Sequence, residues 1–359
     1  MDHLGILVSS MLFNKIRMNR KTYECIACYE KASERYGLKP CFFKIQDLTR
    51  DHRSCRALMR NNKGAYSVQT INTPRVIHNR KLNHDGKDQK AISALQKNGV
   101  IVFNDFTRYN KLHIYHLLNK SAHLTPHLPF TALATEKNVR LLSSMSNNLI
   151  IKPAIGSLGD GIMTLTRRNK RIWSYTTHDG KTATFSLGQK WPSDLATIFQ
   201  QGSHIIQERI SLATYEGRPY DIRVAVQKNR VGEWHITGLV AKAAKKGRWV
   251  TNVASGGTCY PLDVVFNQTL LNNKAKHLQD VKELALRVAA QLNTSYPNMA
   301  DLGLDIGITE QGFPMFIECN GRDQRYSFLE AGLTEIWEAT YSTVIEYADY
   351  QFKQLQKER

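Results

Sequence analysis

Leu302-Gly303-Leu304-Asp305-Ile306-Gly307-Ile308-Thr309, a turn at Gln311-Gly312, and Pro314-Met315-Phe316-Ile317-Glu318-Cys319-Asn320 form the stretch that decides the fold. The spacing predicts two strands, 304–309 and 314–318, joined as a hairpin. Alternate residues of a strand share a face, so Glu318 and Asn320 point the same way, and the hairpin brings Asp305 alongside them. Two carboxylates and an amide oxygen are hard donors that suit Mg²⁺, with Mn²⁺ as an alternative. A solvated hairpin face is the competing reading. The strands are otherwise apolar, however, and two buried acids without a cation are costly.

Working outward, further strands are expected at 204–208, 222–228 and 234–241, with a long helix over 278–292, an antiparallel α+β pattern. Asp221 and Arg223 share one strand face, so Asp221 is expected to orient the guanidinium toward an anion; a structural salt bridge is the plainer alternative. Downstream lie Lys242, Lys245, Lys246, Arg248, Asn252 and Gly256-Gly257. Before this section, a strand at 149–153 runs into Gly156-Ser157-Leu158-Gly159-Asp160-Gly161 and returns at 162–165. Glycines there let backbone N–H groups approach a phosphate, and Lys152 can set an ammonium over it. The spacing is not that of a Walker A loop, and an ordinary tight turn reads similarly. Prolines 126 and 129 mark an extended link between helices near 112–120 and 136–145.

The first hundred residues alternate strands (4–9, 39–44, 73–79, 99–103) with helices (21–36, 87–98), the rhythm of an open, largely parallel sheet. Residues 51–66, basic and polar, are expected as a surface helix and loop. The 359 residues carry 49 Lys and Arg against 31 Asp and Glu, a formal charge of +18, and residues 1–120 alone contribute +13. Such a field attracts polyanions without choosing among nucleotides, acidic peptides, polymers and nucleic acid. A nucleic-acid partner is disfavoured, because no RNA or DNA module is visible and the basic residues are not interleaved with regular aromatics. Apolar residues at 42% and charged residues at 22% exclude a disordered or collagen-like chain. No run is long and apolar enough for a membrane span, the N-terminus lacks the pattern of a secretory signal, and six scattered cysteines fit a reducing cytoplasm without disulfides. Cys25 and Cys28 are expected on the apolar face of the first helix rather than on zinc.

The order Lys111, Lys152 with its hairpin, Gln207-Glu208-Arg209-Ile210, Asp221-Ile222-Arg223, Asn252, Asp305 and Glu318-Cys319-Asn320 resembles the ATP-grasp superfamily. Pro74-Arg75-Val76-Ile77-His78-Asn79-Arg80, Phe103-Asn104, Leu128-Pro129-Phe130-Thr131 and residues 302–307 look like its YheC/YheD endospore coat-associated family. The resemblance implies an α/β (α+β) ATP-grasp fold with a parallel-sheet N-terminal unit over 1–107, a central lid over 108–207 and a C-terminal antiparallel unit over 208–359. It implies that Lys111 and Lys152 bind ATP phosphates, with Gly156, Ser157, Gly159 and Gly161 forming the loop above them. Gln207, Glu208, Arg209 and Ile210 would meet adenine, with Glu216 a weaker ribose candidate. Asp305, Glu318 and Asn320 would hold Mg²⁺, and Arg223, Lys242 and Asn252 would act at the reacting groups. The implied activity is that of an ADP-forming carboxylate–amine ligase acting through an acyl phosphate on an acidic peptide or polymer. A cytoplasmic, spore-coat-associated location and coat-protein partners are implied with it. A catalytically silent nucleotide-binding coat scaffold is the alternative. Two departures stand out: no proline follows Asn320, where the chain reads Gly321-Arg322-Asp323-Gln324-Arg325, and Lys242 stands where related amino-acid ligases carry arginine.

Overall fold

In the first third, six strands form one mixed sheet: β1 (His3–Leu7), β2 (Lys39–Leu48), β3 (Ser54–Arg60), β4 (Tyr66–Asn72), β5 (Val76–Asn79) and β6 (Ile101–Phe103), in the order β4-β3-β2-β1-β5-β6. The protein is represented by a computed structural model that describes residues 2–357 apart from 62, 83–85, 157–160, 178 and 270–272. Strands β2, β1, β5 and β6 are parallel as expected, while β3 and β4 add an antiparallel edge. The expectation of a surface helix and loop over 51–66 is therefore wrong. Ser54–Arg60 buries Cys55, Ala57, Leu58 and Met59, with exposed Arg56 and Arg60 interrupting the apolar run and obscuring the strand.

Helix α1 (Ser10–Arg17), unanticipated from sequence, starts where the Ser9 hydroxyl accepts from the Leu12 N–H, and it buries Leu12, Phe13 and Ile16. Helix α2 (Ile26–Glu34) is shorter than the 21–36 expected, and α3 (Gly86–Lys97) precedes β6. Cys25 caps α2 and is joined to Cys28 as a disulfide, which corrects the expectation of free thiols on one helix face.

After α4 (Lys111–Leu118) a second sheet contains β7 (Thr131–Leu133), β8 (Asn148–Pro153), β9 (Met163–Arg167), β10 (Ile172–Thr177), β11 (Thr182–Ser186) and β12 (His204–Glu208), ordered β11-β10-β9-β8-β12-β7. Helices α5 (Glu136–Met145) and α6 (Ser193–Gln201) accompany it; Val139, Leu142 and Leu195 join Leu149, Ile151 and Trp173 in its core.

The third sheet comprises β13 (Thr214–Tyr215), β14 (Arg218–Lys228), β15 (Trp234–Ala243), β16 (Thr258–Tyr260), β17 (Asp301–Ile308) and β18 (Pro314–Asn320). Its order is β16-β15-β14-β17-β18, with β13 paired to β14. Every residue of β17 is buried, as a central strand between β14 and β18 requires. After α7 (Leu262–Gln268), helix α8 (Lys274–Asn293) covers one face, packing Val281, Leu284, Ala285 and Val288 against Val224, Leu302 and Leu304. Past α9 (Tyr326–Glu330), α10 (Thr334–Lys357) packs against both β14 and α2; Tyr341, Ile345 and Phe352 join the core of the first sheet. Among the described residues no helix is long and apolar enough to cross a membrane.

Candidate active site

The second and third sheets enclose a cleft of about 420 Å³. Cross-strand register builds its floor. Asp305 of β17 lies opposite Glu318 of β18 and opposite Arg223 of β14, and Asp221 of β14 lies opposite Lys242 of β15. Directly opposed side chains on one sheet face are close enough to interact.

Arg223 Nε donates to Asp305 Oδ1 at 2.8 Å and Arg223 Nη2 to Asp305 Oδ2 at 3.2 Å, a two-pronged pair. Arg223 Nη1 donates to Asp323 Oδ1 at 2.8 Å. The expectation that Asp221 orients this guanidinium is corrected: Asp305 and Asp323 do so. Asp221 instead lies 3.2 Å from Lys242 Nζ and accepts from the Thr251 hydroxyl. Lys242 Nζ also donates to Asp305 Oδ1 at 2.7 Å. Gly303 makes room for this arrangement, since a Cβ there would sit 2.4 Å from Asp323 Oδ1 and 2.7 Å from Arg223 Nη1.

These contacts set the charges. Burial pushes the Asp305 carboxyl up, but Arg223 and Lys242 outweigh it and hold it well below the usual range. For Asp221 burial wins, and its carboxyl is raised. Burial also opposes the Lys242 charge, yet Asp221 and Asp305 overcome this and raise its pKa.

The cleft's opposite wall comes from β8, the start of α4 and β12. Lys152 on β8 is buried, and that burial, helped by Lys111, pushes its ammonium down to about 8 against the opposing pull of Glu318 and Asp305. Lys111 Nζ donates to the Gly156 carbonyl at 2.7 Å and lies 3.4 Å from Glu318 Oε1. Its α4 is capped by Asn110, whose side chain accepts from Leu112 and His113 N–H. Gln207, Glu208, Arg209 and Ile210 line the cleft as a group. Gln207 Nε2 donates to Thr131 Oγ1 at 2.7 Å, and the Arg209 guanidinium lies 5.8 Å from the Trp249 ring centroid.

A smaller cavity of about 70 Å³ shares Gly156, Lys242, Asn252, Asp305 and Glu318 with the cleft, and adds Arg223 and Asn320. Asn252 also caps the short turn 253–255, accepting from Ala254 N–H at 2.9 Å.

Two candidates stand apart. Glu216 takes a positive φ in the turn before β14, is more than half exposed, pairs with Arg218 at 2.7 Å and does not line the cleft. Gly161 also adopts positive φ, beside Pro153, outside the lining. Ser157 and Gly159 lie outside the described residues. Sequence reasoning missed Asp323, which shows no local pattern and acts through Arg223, and among the lining residues it missed Trp249, the lone aromatic after a basic run, and Glu310 in the hairpin turn.

Among the described residues no cluster of three or more His, Cys, Asp or Glu side chains gathers as a metal site. Asp305, Glu318 and the Asn320 amide share the lining of the small cavity and are the oxygen donors that would take a divalent cation together with substrate oxygens. That donor set fits Mg²⁺, which is commonly held by one or two carboxylates plus phosphates. Lys111, Arg223 and Lys242, which neutralise these carboxylates in the protein alone, show that the site accommodates several positive charges.

A family described as YheC/D like ATP-grasp matches residues 99–350. The chain is 26% identical over 325 residues to the endospore coat-associated protein YheD of Bacillus subtilis strain 168, covering 86% of this chain and 70% of that protein. It is 24% identical over 333 residues to YheC of the same organism, covering 90% and 91%. Among solved structures it resembles the ATP-grasp ligase PsnB complexed with minimal precursor, at a TM-score of 0.55 and 13% identity over 96% of this chain and all of that one. The fold is thus that of the ATP-grasp ligases.

Proposed function

The chain belongs to the YheC/D-like ATP-grasp family, and from that premise we propose that it is an ATP-dependent, ADP-forming carboxylate–amine ligase. The observation that carries the reading is the convergence of Lys111 and Lys152 from one wall on Asp305 and Glu318 at the floor of one cleft. A triphosphate needs such neutralisation, and phosphoryl transfer asks the protein mainly to position groups and balance charge.

In this reading Lys111 and Lys152 hold the phosphates, with Gly156 beside them, and the phosphate role assigned to Ser157, Gly159 and Gly161 rests on the sequence resemblance. Gln207, Glu208, Arg209 and Ile210 face the base. Asp305, Glu318 and Asn320 would hold Mg²⁺ or, alternatively, Mn²⁺, which when bound supplies neutralisation of phosphate charge. An acceptor carboxylate oxygen attacks the γ-phosphorus and ADP leaves. An amine then attacks the acyl carbon, phosphate departs, and the amine nitrogen gives up a proton. Arg223, steadied by Asp323, faces the acyl phosphate, while Lys242 and Asn252 flank it from β15 and the turn after it. Residues 1–107 form the acceptor side, 108–207 the lid and 208–359 the metal-binding unit. The acceptor is an acidic peptide or polymer, consistent with the +13 carried by residues 1–120. The coat-associated names of the relatives favour work in the cytoplasm of a sporulating cell, beside coat proteins.

The test is ADP release by the full chain with ATP, Mg²⁺ and pools of carboxylates and amines, followed by mass spectrometry of the product. Release that depends on both pools is expected. Tight ATP binding without release in any pool would favour a silent scaffold.

A further inference from the structure

Beyond the small cavity at Arg223 lies a third space, a chamber of about 470 Å³ between the first sheet's loops and the C-terminal unit. Arg322, Gln324 and Tyr326 line both, so the chamber adjoins the small cavity that reaches Asp305 and Glu318. We propose that this chamber binds an acidic peptide and that Arg322 holds one of its carboxylates. The proposal rests on the ligase reading above and names the part of the acceptor that lies outside the reacting centre.

The charges in the chamber are unequal. Arg80 is answered by Glu24 at 2.6 Å and by Asp301 at 3.3 Å, and Arg325 by Asp301 at 2.6 Å. Arg322 has no carboxylate within ion-pair distance among the described residues. It lies over the Tyr23 ring at 5.5 Å and reaches the Tyr23 hydroxyl at 3.5 Å. A guanidinium laid on an aromatic ring keeps its donor edge free for a planar carboxylate.

The wall beneath Arg322 is held by its own pairs: Arg325 Nη1 lies 3.5 Å from Glu24 Oε2, so among the described residues Arg322 is the lining guanidinium left for a ligand. A peptide suits the chamber's mixed polar and apolar lining. Val253 and Tyr326 give its side chains apolar contact, and the volume lies in the range of small-ligand pockets, roughly 300–1,000 Å³. The free guanidinium makes the preferred peptide acidic.

Calorimetry of the full chain, with a non-hydrolysable ATP analogue and Mg²⁺ present, tests this with the tripeptides Ala-Glu-Ala, Ala-Gln-Ala and Ala-Lys-Ala. The glutamate peptide should bind about ten-fold tighter than the glutamine peptide, the scale of one charge-assisted hydrogen bond. Arg322→Gln should erase that preference, Arg322→Lys keep part of it, and Arg322→Glu turn it toward the lysine peptide, with affinity for the ATP analogue unchanged throughout. Equal binding of the first two peptides, or a preference that survives Arg322→Gln, overturns the proposal. Peptide discrimination through Arg322 in a protein that releases no ADP would uphold the chamber and overturn the ligase reading. ADP release from an acidic acceptor that is indifferent to Arg322 would do the reverse.

Discussion

Strand β17 carries two aspartates four residues apart on one face, and the surroundings of Asp301 and Asp305 are alike in chemistry but opposite in access. Asp301 is fully buried and meets Arg325 at 2.6 Å, Arg80 at 3.3 Å, His78 at 3.4 Å and Gln227 at 2.7 Å. Asp305 meets Arg223 at 2.8 Å and Lys242 at 2.7 Å, yet it lines both the cleft and the cavity beside it. The two sets of cations also differ in what else they can hold. Arg223 keeps Asp323 and Lys242 keeps Asp221 if Asp305 changes, whereas among the described residues Arg80 and Arg325 share only Glu24 besides Asp301 as carboxylate partners. The ring around Asp305, with two reserve carboxylates beside the cleft, can exchange one cation for another; the ring around Asp301, a fully buried carboxylate with Glu24 as the shared reserve, holds elements together.

The sharpest way to break this contrast is Asp301→Ala, which leaves buried guanidinium groups under-compensated. A loss of about 3–5 kcal/mol in urea denaturation is expected, the cost of breaking a buried ion pair. A loss below about 1 kcal/mol would erase the distinction. Asp305→Asn should do the opposite: stability should fall by about 1 kcal/mol, because both cations keep a carboxylate. ADP release should drop about 100-fold or more, as when a group facing developing charge is removed. Turnover near the parent's would remove Asp305 from the reaction.

Lys152 sharpens the comparison from the cleft's other wall. Its folded pKa, about 8, lies below the ordinary 10.5, so the fold pays for the charged form at neutral pH. The unfolded chain binds more protons between pH 8 and 10.5; stability therefore rises across that window and the penalty is fully present below pH 8. Lys152→Met should stabilise the ligand-free protein by about 2 kcal/mol at pH 7, flatten that pH response, and weaken ATP affinity about ten-fold or more in calorimetry. A destabilised variant with unchanged ATP affinity would mark Lys152 as structural. The smallest effect is expected at Glu216→Ala, where an exposed pair outside the cleft is lost: less than about 0.5 kcal/mol in stability and no change in ATP affinity. A clear loss of ATP affinity would bring Glu216 into the ribose site after all.

Much of this was legible in the chain. The strands at 148–153, 204–208 and 314–320 and the helix at 136–145 follow apolar periodicities that packing then uses directly. The hairpin at 54–72 was not legible, because Arg56 and Arg60 interrupt the buried run of its first strand. Asp305 and Glu318 could be paired from sequence, since one hairpin sets their register. Arg223 could not be assigned to Asp305, because 82 residues separate them and neighbours two apart on one strand suggested Asp221 instead. Asp301 and Asp323 gain their roles only from partners brought in by other elements, such as Arg80 from the first sheet.

The contact between Arg80 and Asp301 spans 221 positions of chain. Closing a loop of that length costs about 5 kcal/mol of chain entropy before any bond repays it. The ionic centre is thus a late event: Arg80 and Glu24 are synthesised, and can meet each other, long before residue 301 leaves the ribosome. Until then the inner face of the first sheet lacks its counter-ion from β17 and the cover of Tyr341, Ile345 and Phe352 from α10. Completion of the N-terminal unit therefore waits for α10, which ties assembly of the first sheet to assembly of the strand that carries Asp305.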